Sequence, residues 1–194
     1  MDKKQIQDER MRGYFIDSAK NLIKGEGLRS ISARHVADHA GYSYATLYNY
    51  FKDINDLIFR CVEDFSGEAG SFIRSKVKDT TPGKSRIKAA AKAYLEYFTE
   101  YPGVFELFFL EKMGNFGNRK ETAGLITGLF QRLCTEDAVV WATEEGLKQE
   151  RVEETIDRLN SMMAGMLLLY ENRMKPDNYS DFINTAVKHF DKIL

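Results

Sequence analysis

Cysteine is scarce in this chain: its 194 residues hold two, Cys61 and Cys134, far apart and outside any Cys-x-x-Cys pair. That spacing excludes a disulfide framework or a cysteine-ligated zinc module, and it leaves both thiols as packing residues of a reducing compartment. Long apolar runs are missing as well. No stretch approaches the ~20 apolar residues of a membrane-spanning helix, and the segment from Met1 to Arg10 has no apolar signal core. The chain is therefore expected to be cytoplasmic, with no membrane partner.

Histidine is rare, with three residues. His35 and His39 have the i, i+4 spacing of a metal pair on a helix, but no His-Glu-x-x-His pattern and no third ligand accompany them. Surface or phosphate contact outweighs metal binding there, and no metal site is expected. There is no recognisable nucleophile with a base, no carboxylate pair in an apolar setting and no glycine-rich phosphate loop, so neither catalysis nor a cofactor is expected.

What is present is helical periodicity, almost from end to end and without strand-like alternation, which predicts an all-α fold. The patterns predict helix 1 over about 4–24 and helix 4 from an Asp53 cap towards Lys78, with Gly67 and Gly70 inviting a bend. Thr81 is read as the cap of helix 5, with Pro82 at its first position, and that helix runs to about Glu100. Helix 6 should cover Val104 to about Lys112, before the glycine-rich loop Met113 to Asn118. Helices over about 120–145, 150–174 and 179 to the end complete the pattern.

The densest information lies between Ser32 and Phe51. Ser32 can cap a short helix with Val36, Ala37 and Ala40 inward, Gly41 supplies the positive φ of a tight turn, and Ser43 starts a second helix to about Tyr50. That second helix buries Leu47 and leaves Tyr44, Ala45, Tyr48 and Asn49 facing outward. Hydroxyls and an amide on the exposed side of such a helix suit contacts to phosphates and base edges in a major groove.

Ala-Gly-Tyr-Ser-Tyr-Ala-Thr-Leu-Tyr-Asn-Tyr-Phe (Ala40 to Phe51), followed by Asp56-Leu57, resembles the signature of the tetracycline-repressor (TetR/AcrR) family of bacterial regulators over about the first 65 residues. The resemblance implies dimeric repressors of about nine helices. In such proteins an N-terminal three-helix helix-turn-helix domain, here 1–66, precedes a larger C-terminal domain, here 67–194, that binds a small molecule and dimerises. It implies a base contact from Arg34 and from Tyr44 and Ala45, and phosphate contacts from Thr46, Tyr48 and Tyr50. Ile54 stands where the family commonly has a phosphate-binding lysine, with Lys52 the nearest cation. Ala45 replaces a frequent glycine.

Charge lends this reading modest support. Residues 1–60 carry ten Lys or Arg against eight acids, while the remainder carries 18 against 21, for the net −1 of the whole. Affinity for a double-stranded DNA operator would rest on charge placement and on a homodimer doubling it. One helix-turn-helix reads too few bases, whereas two set roughly 34–36 Å apart read half-sites one turn apart.

Helices 5 to 7 concentrate aromatic residues, among them Tyr101, Phe108 and Phe116. Tyr94, Tyr97, Phe98, Phe105, Phe109, Phe130 and Trp141, with Met163 and Met166, form the candidate lining for a small apolar or aromatic effector. The same stripe would equally fill a packed core. Met162, Gly165 and Leu169 on helix 8, with Phe182, Ala186 and Phe190 on helix 9, are the candidate dimer interface, against a monomer with a large core. The alternative to a ligand-responsive repressor is an effector-independent dimeric DNA-binding protein whose C-terminal helices only dimerise or recruit a partner.

Overall fold

A computed structural model describes residues 2–111 and 124–194. The described residues are helical, with no strand among them. In chain order the helices are α1 (Lys3–Glu26), α2 (Ala33–Ala40), α3 (Tyr44–Leu47), α4 (Ile54–Val77), α5 (Lys84–Glu100), α6 (Pro102–Phe105), α7 (Leu129–Glu145), α8 (Gln149–Glu171) and α9 (Tyr179–Ile193). A 3-10 turn, Leu28–Ser30, precedes α2, and α6 continues as one wide π turn, Glu106–Leu110. No described helix is long and apolar enough to cross a membrane.

The chain divides into two compact units, Met1–Ser66 with Tyr101–Ile126, and Gly67–Glu100 with Thr127–Leu194. Among the described residues, 101–111 and 124–126 group with the N-terminal ones.

In the first unit Phe15 organises the core. Its ring lies 6.3 Å from Phe51 edge-on and 5.6 and 6.1 Å from Tyr42 and Tyr50. Phe15, Leu47, Leu57 and Phe65 have no exposed surface beyond traces, and each such apolar side chain contributes roughly 1.5–3 kcal/mol on burial. Helix α6 seats against the end of α1 at Gly103, where a β-carbon would overlap the Ile23 carbonyl oxygen and stand 3.1 Å from the Gly27 Cα.

The second unit packs α5 against α7, α8 and α9, with α7 on α8 and α9 on α8. Phe98, Phe130, Leu159, Met163, Phe182 and Phe190 are fully buried in it.

Several helix ends differ from the sequence expectation. Helix α5 starts at Lys84 and Thr81 does not cap it, because the buried Asp137 carboxylate on α7 takes the Gly83 N–H at 2.8 Å and holds Pro82 and Gly83 in a turn. Helix α6 begins two residues early, with Pro102 in its first turn. Residues 124–127 are helical but a turn at Gly128 separates them from α7. Helix α8 ends three residues before Met174, where the Met174 N–H returns to the Leu169 carbonyl at 2.9 Å. Helix α4 runs unbroken through Gly67 and Gly70. The expected loop from Met113 to Asn118, with Phe116, lies outside the described residues.

Candidate nucleic-acid interface

The segment from Ser32 to Phe51 holds its shape through local hydrogen bonds. Ser32 Oγ accepts from the His35 N–H at 3.1 Å and caps α2. Gly41, at φ 78°, takes the left-handed turn that ends α2, and the Tyr42 N–H reaches back to the Ala37 carbonyl at 2.9 Å. Ser43 Oγ then accepts from the Thr46 N–H at 3.2 Å and lies 2.9 Å from Thr46 Oγ1, so α3 is capped by the residue that opens it.

Helix α3 is shorter than its pattern suggests. After Leu47 the Asn49 and Tyr50 N–H groups bond three residues back, at 3.1 and 3.0 Å, tightening the turn before Phe51. The cap of α4 follows at once: Asp53 Oδ1 accepts from the Asp56 N–H at 2.9 Å and Asp56 Oδ2 from the Lys52 N–H at 3.1 Å.

This framework leaves one surface of polar and aromatic groups. Tyr44, which opens α3, is 54% exposed and Tyr48, which follows its last residue, 48%. Ser43, Ala45, Asn49 and Lys52 are exposed beside them, and Arg34 is exposed on α2. Thr46 and Tyr50 are half-buried, the first bonded to Ser43 and the second leaning on Phe15. Ile54, in place of the family's lysine, is half-buried and faces a cavity. Tyr14, 52% exposed and stacked on Tyr42 at 6.3 Å, extends the surface onto α1. Sequence reading missed it, and the only signal was its place beside Phe15.

His35 has a structural task. Its Nδ1 lies 3.0 Å from the Ser30 carbonyl and its Nε2 3.9 Å from Glu26, so it ties α2 to the 3-10 turn and to the end of α1. Among the described residues no cluster of three or more His, Cys, Asp or Glu is placed to hold a metal ion. Burial pushes the thiols of Cys61 and Cys134 above their ordinary range, as expected of packing cysteines.

The nine candidate effector residues are divided between the two units. Phe105 and Phe109 belong to the first unit and the other seven to the second. In the second unit Tyr94 meets Phe98 at 4.8 Å and Phe130 at 5.4 Å, and Tyr97 meets Phe98 at 5.3 Å. These are interlocked core rings; burial also raises the Tyr94 hydroxyl above its usual pKa. Three cavities have other linings. One of about 460 Å³ lies in the first unit, among Leu28, Ile31, Ile58 and Leu110. One of about 250 Å³ lies between α7 and α8, at Gln131, Gln149 and Asp157, and a cleft of about 380 Å³ lies among α4, α5 and α7. None of the nine residues lines any of these three.

The candidate dimer residues also separate. Phe182, Ala186 and Phe190 are fully buried within their own unit, because α9 turns its apolar stripe onto α5 and α8, and they offer no surface to a second copy. Gly165 and Leu169 are exposed on α8, joined by Leu168 at 42% exposure, and Met162 is half-exposed.

Comparison with known proteins agrees with the local geometry. Residues 15–61 match the family described as bacterial regulatory proteins, tetR family. The chain is 27% identical over 110 residues to an uncharacterized HTH-type transcriptional regulator of Haemophilus influenzae, an alignment spanning 56% of this chain and 54%, about half, of that relative. Among solved structures it is similar to a TetR family transcription regulator from Marinobacter aquaeolei VT8, with TM-score 0.64, 15% identity and 97% of both chains covered. It is also similar to the transcriptional regulator FadR from Bacillus subtilis, solved in complex with stearoyl-CoA, with TM-score 0.71, 14% identity and 93% and 96% covered. At such identities these two structures speak for the shared fold.

Proposed function

We propose that this chain, whose residues 15–61 match the tetR family of bacterial regulatory proteins, is a transcriptional regulator that binds a pseudo-palindromic operator as a homodimer and acts as a repressor released by a small effector. The observation that carries the DNA reading is the pair of half-exposed tyrosines, Tyr44 at the start and Tyr48 at the end cap of a short helix that is capped by Ser43 and packed through Leu47 behind. Exposed aromatic hydroxyls at that place suit contacts to phosphates and base edges in a groove.

In this reading Arg34 forks onto guanine O6 and N7, while Tyr44, Ala45 and Asn49 meet neighbouring base edges. Ser43, Tyr48 and Lys52 hold phosphates and fix register, with the Thr46 and Tyr50 hydroxyls at the edges of the contact. A second copy supplies the other half-site, and the exposed Gly165, Leu168 and Leu169 on α8 are the surface through which it pairs.

Release by an effector requires unequal affinity for the operator-bound and free conformations, and the two affinities are then reciprocally linked. The FadR relative, solved with stearoyl-CoA, supports an effector with an apolar portion. Helix α4 contributes residues to both units and is the element through which such a ligand would act. The effector-independent reading draws on one specific observation, the closed packing of Tyr94, Phe98 and Phe130. Titration of the protein on DNA from upstream of its own gene, against excess unrelated duplex at moderate salt, tests the core of the proposal. Saturable binding with a clear sequence preference supports it, and equal affinity for both duplexes refutes it.

A further inference from the structure

We propose that the cleft among α4, α5 and α7 binds an organic phosphate monoester bearing a short apolar tail. This deepens the effector reading above and rests on it for the consequence of binding, whereas the binding itself rests on the cleft. The cleft lies wholly within the second unit and encloses about 380 Å³, inside the roughly 300–1,000 Å³ span of small-molecule sites. Its base is apolar and buried, made by Ile73 and Val77 from α4 and Ala90 from α5.

Cations from three helices converge on its walls: Arg74 on α4, with Lys78 just past that helix's last turn, Arg86 on α5 and Arg132 on α7. A cation near the end of α4 alone would be explained by the helix dipole. That account does not reach α5 and α7, which bring their own arginines to the same opening. The structure also positions two of these groups. Arg86 Nε donates to the Thr80 carbonyl at 3.1 Å, and its Nη1 stands 3.7 Å from Asp137, so its planar fork is held. Arg74 lies back along its own helix where Gly70 leaves room, since a β-carbon at position 70 would come to 3.3 Å from both Nη atoms.

Charge selects the ligand class. The two carboxylates on the lining are Glu136 and Asp137, and Asp137 is already engaged by the Gly83 N–H at 2.8 Å. The lining thus carries more cations than carboxylates, a balance that favours an anion such as a phosphate monoester, ~−2 near neutral pH. A guanidinium fork pairs with phosphate oxygens through two parallel hydrogen bonds, which a monocarboxylate uses less fully across so wide a set of donors. The buried Ile73, Val77 and Ala90 then give the ester's carbon chain an apolar seat.

Hexyl phosphate, monomeric at millimolar concentration, is the probe, titrated calorimetrically into the full-length protein and compared with inorganic phosphate, 1-hexanol and vesicles containing phosphatidic acid. We expect saturable binding of hexyl phosphate, weaker binding of inorganic phosphate and none of 1-hexanol. Arg74→Gln combined with Lys78→Gln, both solvent-exposed positions whose change should leave thermal unfolding intact, should weaken hexyl phosphate about tenfold or more, and added salt should weaken it further. Equal binding by this variant and the parent, no binding by the parent, or binding only to the vesicles overturns the site. Operator affinity measured in parallel separates the two readings: absence of operator preference ends the repressor proposal whatever the cleft binds. Saturation of the cleft without change in operator affinity overturns its role as the effector site.

Discussion

Gly103 sits against the carbonyl oxygen of Ile23 so closely that no β-carbon fits between them. The last turn of α1 and the first turn of α6 therefore meet backbone to backbone. Around that contact the Lys24 ammonium lies over the Tyr101 ring at 4.6 Å, and Arg29 approaches Glu106 at 3.7 Å.

Gly103→Ala should consequently separate α6 from α1, because the clashing atom is main chain and cannot rotate away. Overpacking costs typically ~1–3 kcal/mol, and a backbone clash belongs at the upper end of that range. Denaturant unfolding measures the loss, and hydrogen exchange should show faster opening at the amides of 102–106. A variant as stable as the parent, with protection unchanged, would mean that the two helices do not touch in solution as described.

On DNA, Arg34 and Lys52 should separate by kind of contact. Arg34→Ala is expected to cost about 1–3 kcal/mol on the preferred operator and to relax discrimination at one base pair. Lys52→Ala should weaken all duplexes alike and reduce the slope of log affinity against log salt by about 1 for each site. Competition binding across a set of single-base operator variants, at three salt concentrations, distinguishes these outcomes. If Arg34→Ala weakens every variant equally, its role as a base reader is lost.

The recognition segment was legible because its information is local. Ser32, Gly41, Ser43 and Asp53 act through hydrogen bonds and dihedrals spanning only a few residues, and all four take the places that their spacing predicts. The α5 start was not legible, because the group that sets it, Asp137, lies 54 positions away from Gly83. The role of Gly103 was not legible for the same reason: its need for a bare backbone arises from Ile23, which no sequence window around it contains. The aromatic stripe was ambiguous for another reason. Tyr94, Phe98 and Phe130 have the composition of a cavity wall and of a core, and only their ring-to-ring distances tell the two apart. On α9 the periodicity of Phe182, Ala186 and Phe190 marked an apolar face correctly but could not say which helix covers it.

The buried thiols make a prediction about alkaline stability. Both Cys61 and Cys134 have folded-state pKa values raised by burial, so the folded protein keeps the thiols neutral while the unfolded chain ionises them from about pH 8.5 upward. Their contribution to stability is complete below that pH and is lost progressively as pH rises above it, by up to about 1.4 kcal/mol per unit for each thiol. Replacing both with alanine should lower stability at neutral pH through the cavities left behind, yet flatten the decline between about pH 9 and 10.5. Denaturant midpoints across that range provide the comparison, and parallel curves for parent and variant would show that other groups control the decline.

The exposed face of α8 supports the last prediction. Leu168 and Leu169 are 42% and 47% exposed, with Gly165 a turn earlier, on a helix whose opposite side is anchored by the buried Leu159, Met163 and Leu167. Adjacent exposed leucines beside a glycine that admits close helix approach suit a twofold partner, since each copy offers the other the same patch. Leu169→Glu places like charges across such an axis while leaving the buried side of the helix untouched. Sedimentation should then find monomer where the parent is dimeric, with helical content and thermal unfolding of the isolated subunit preserved. Operator binding should weaken far more than for a phosphate-contact variant, because losing the second reading head removes half of the base contacts and half of the charge at once. A charged variant that stays dimeric and binds its operator normally would place the partner on some other face.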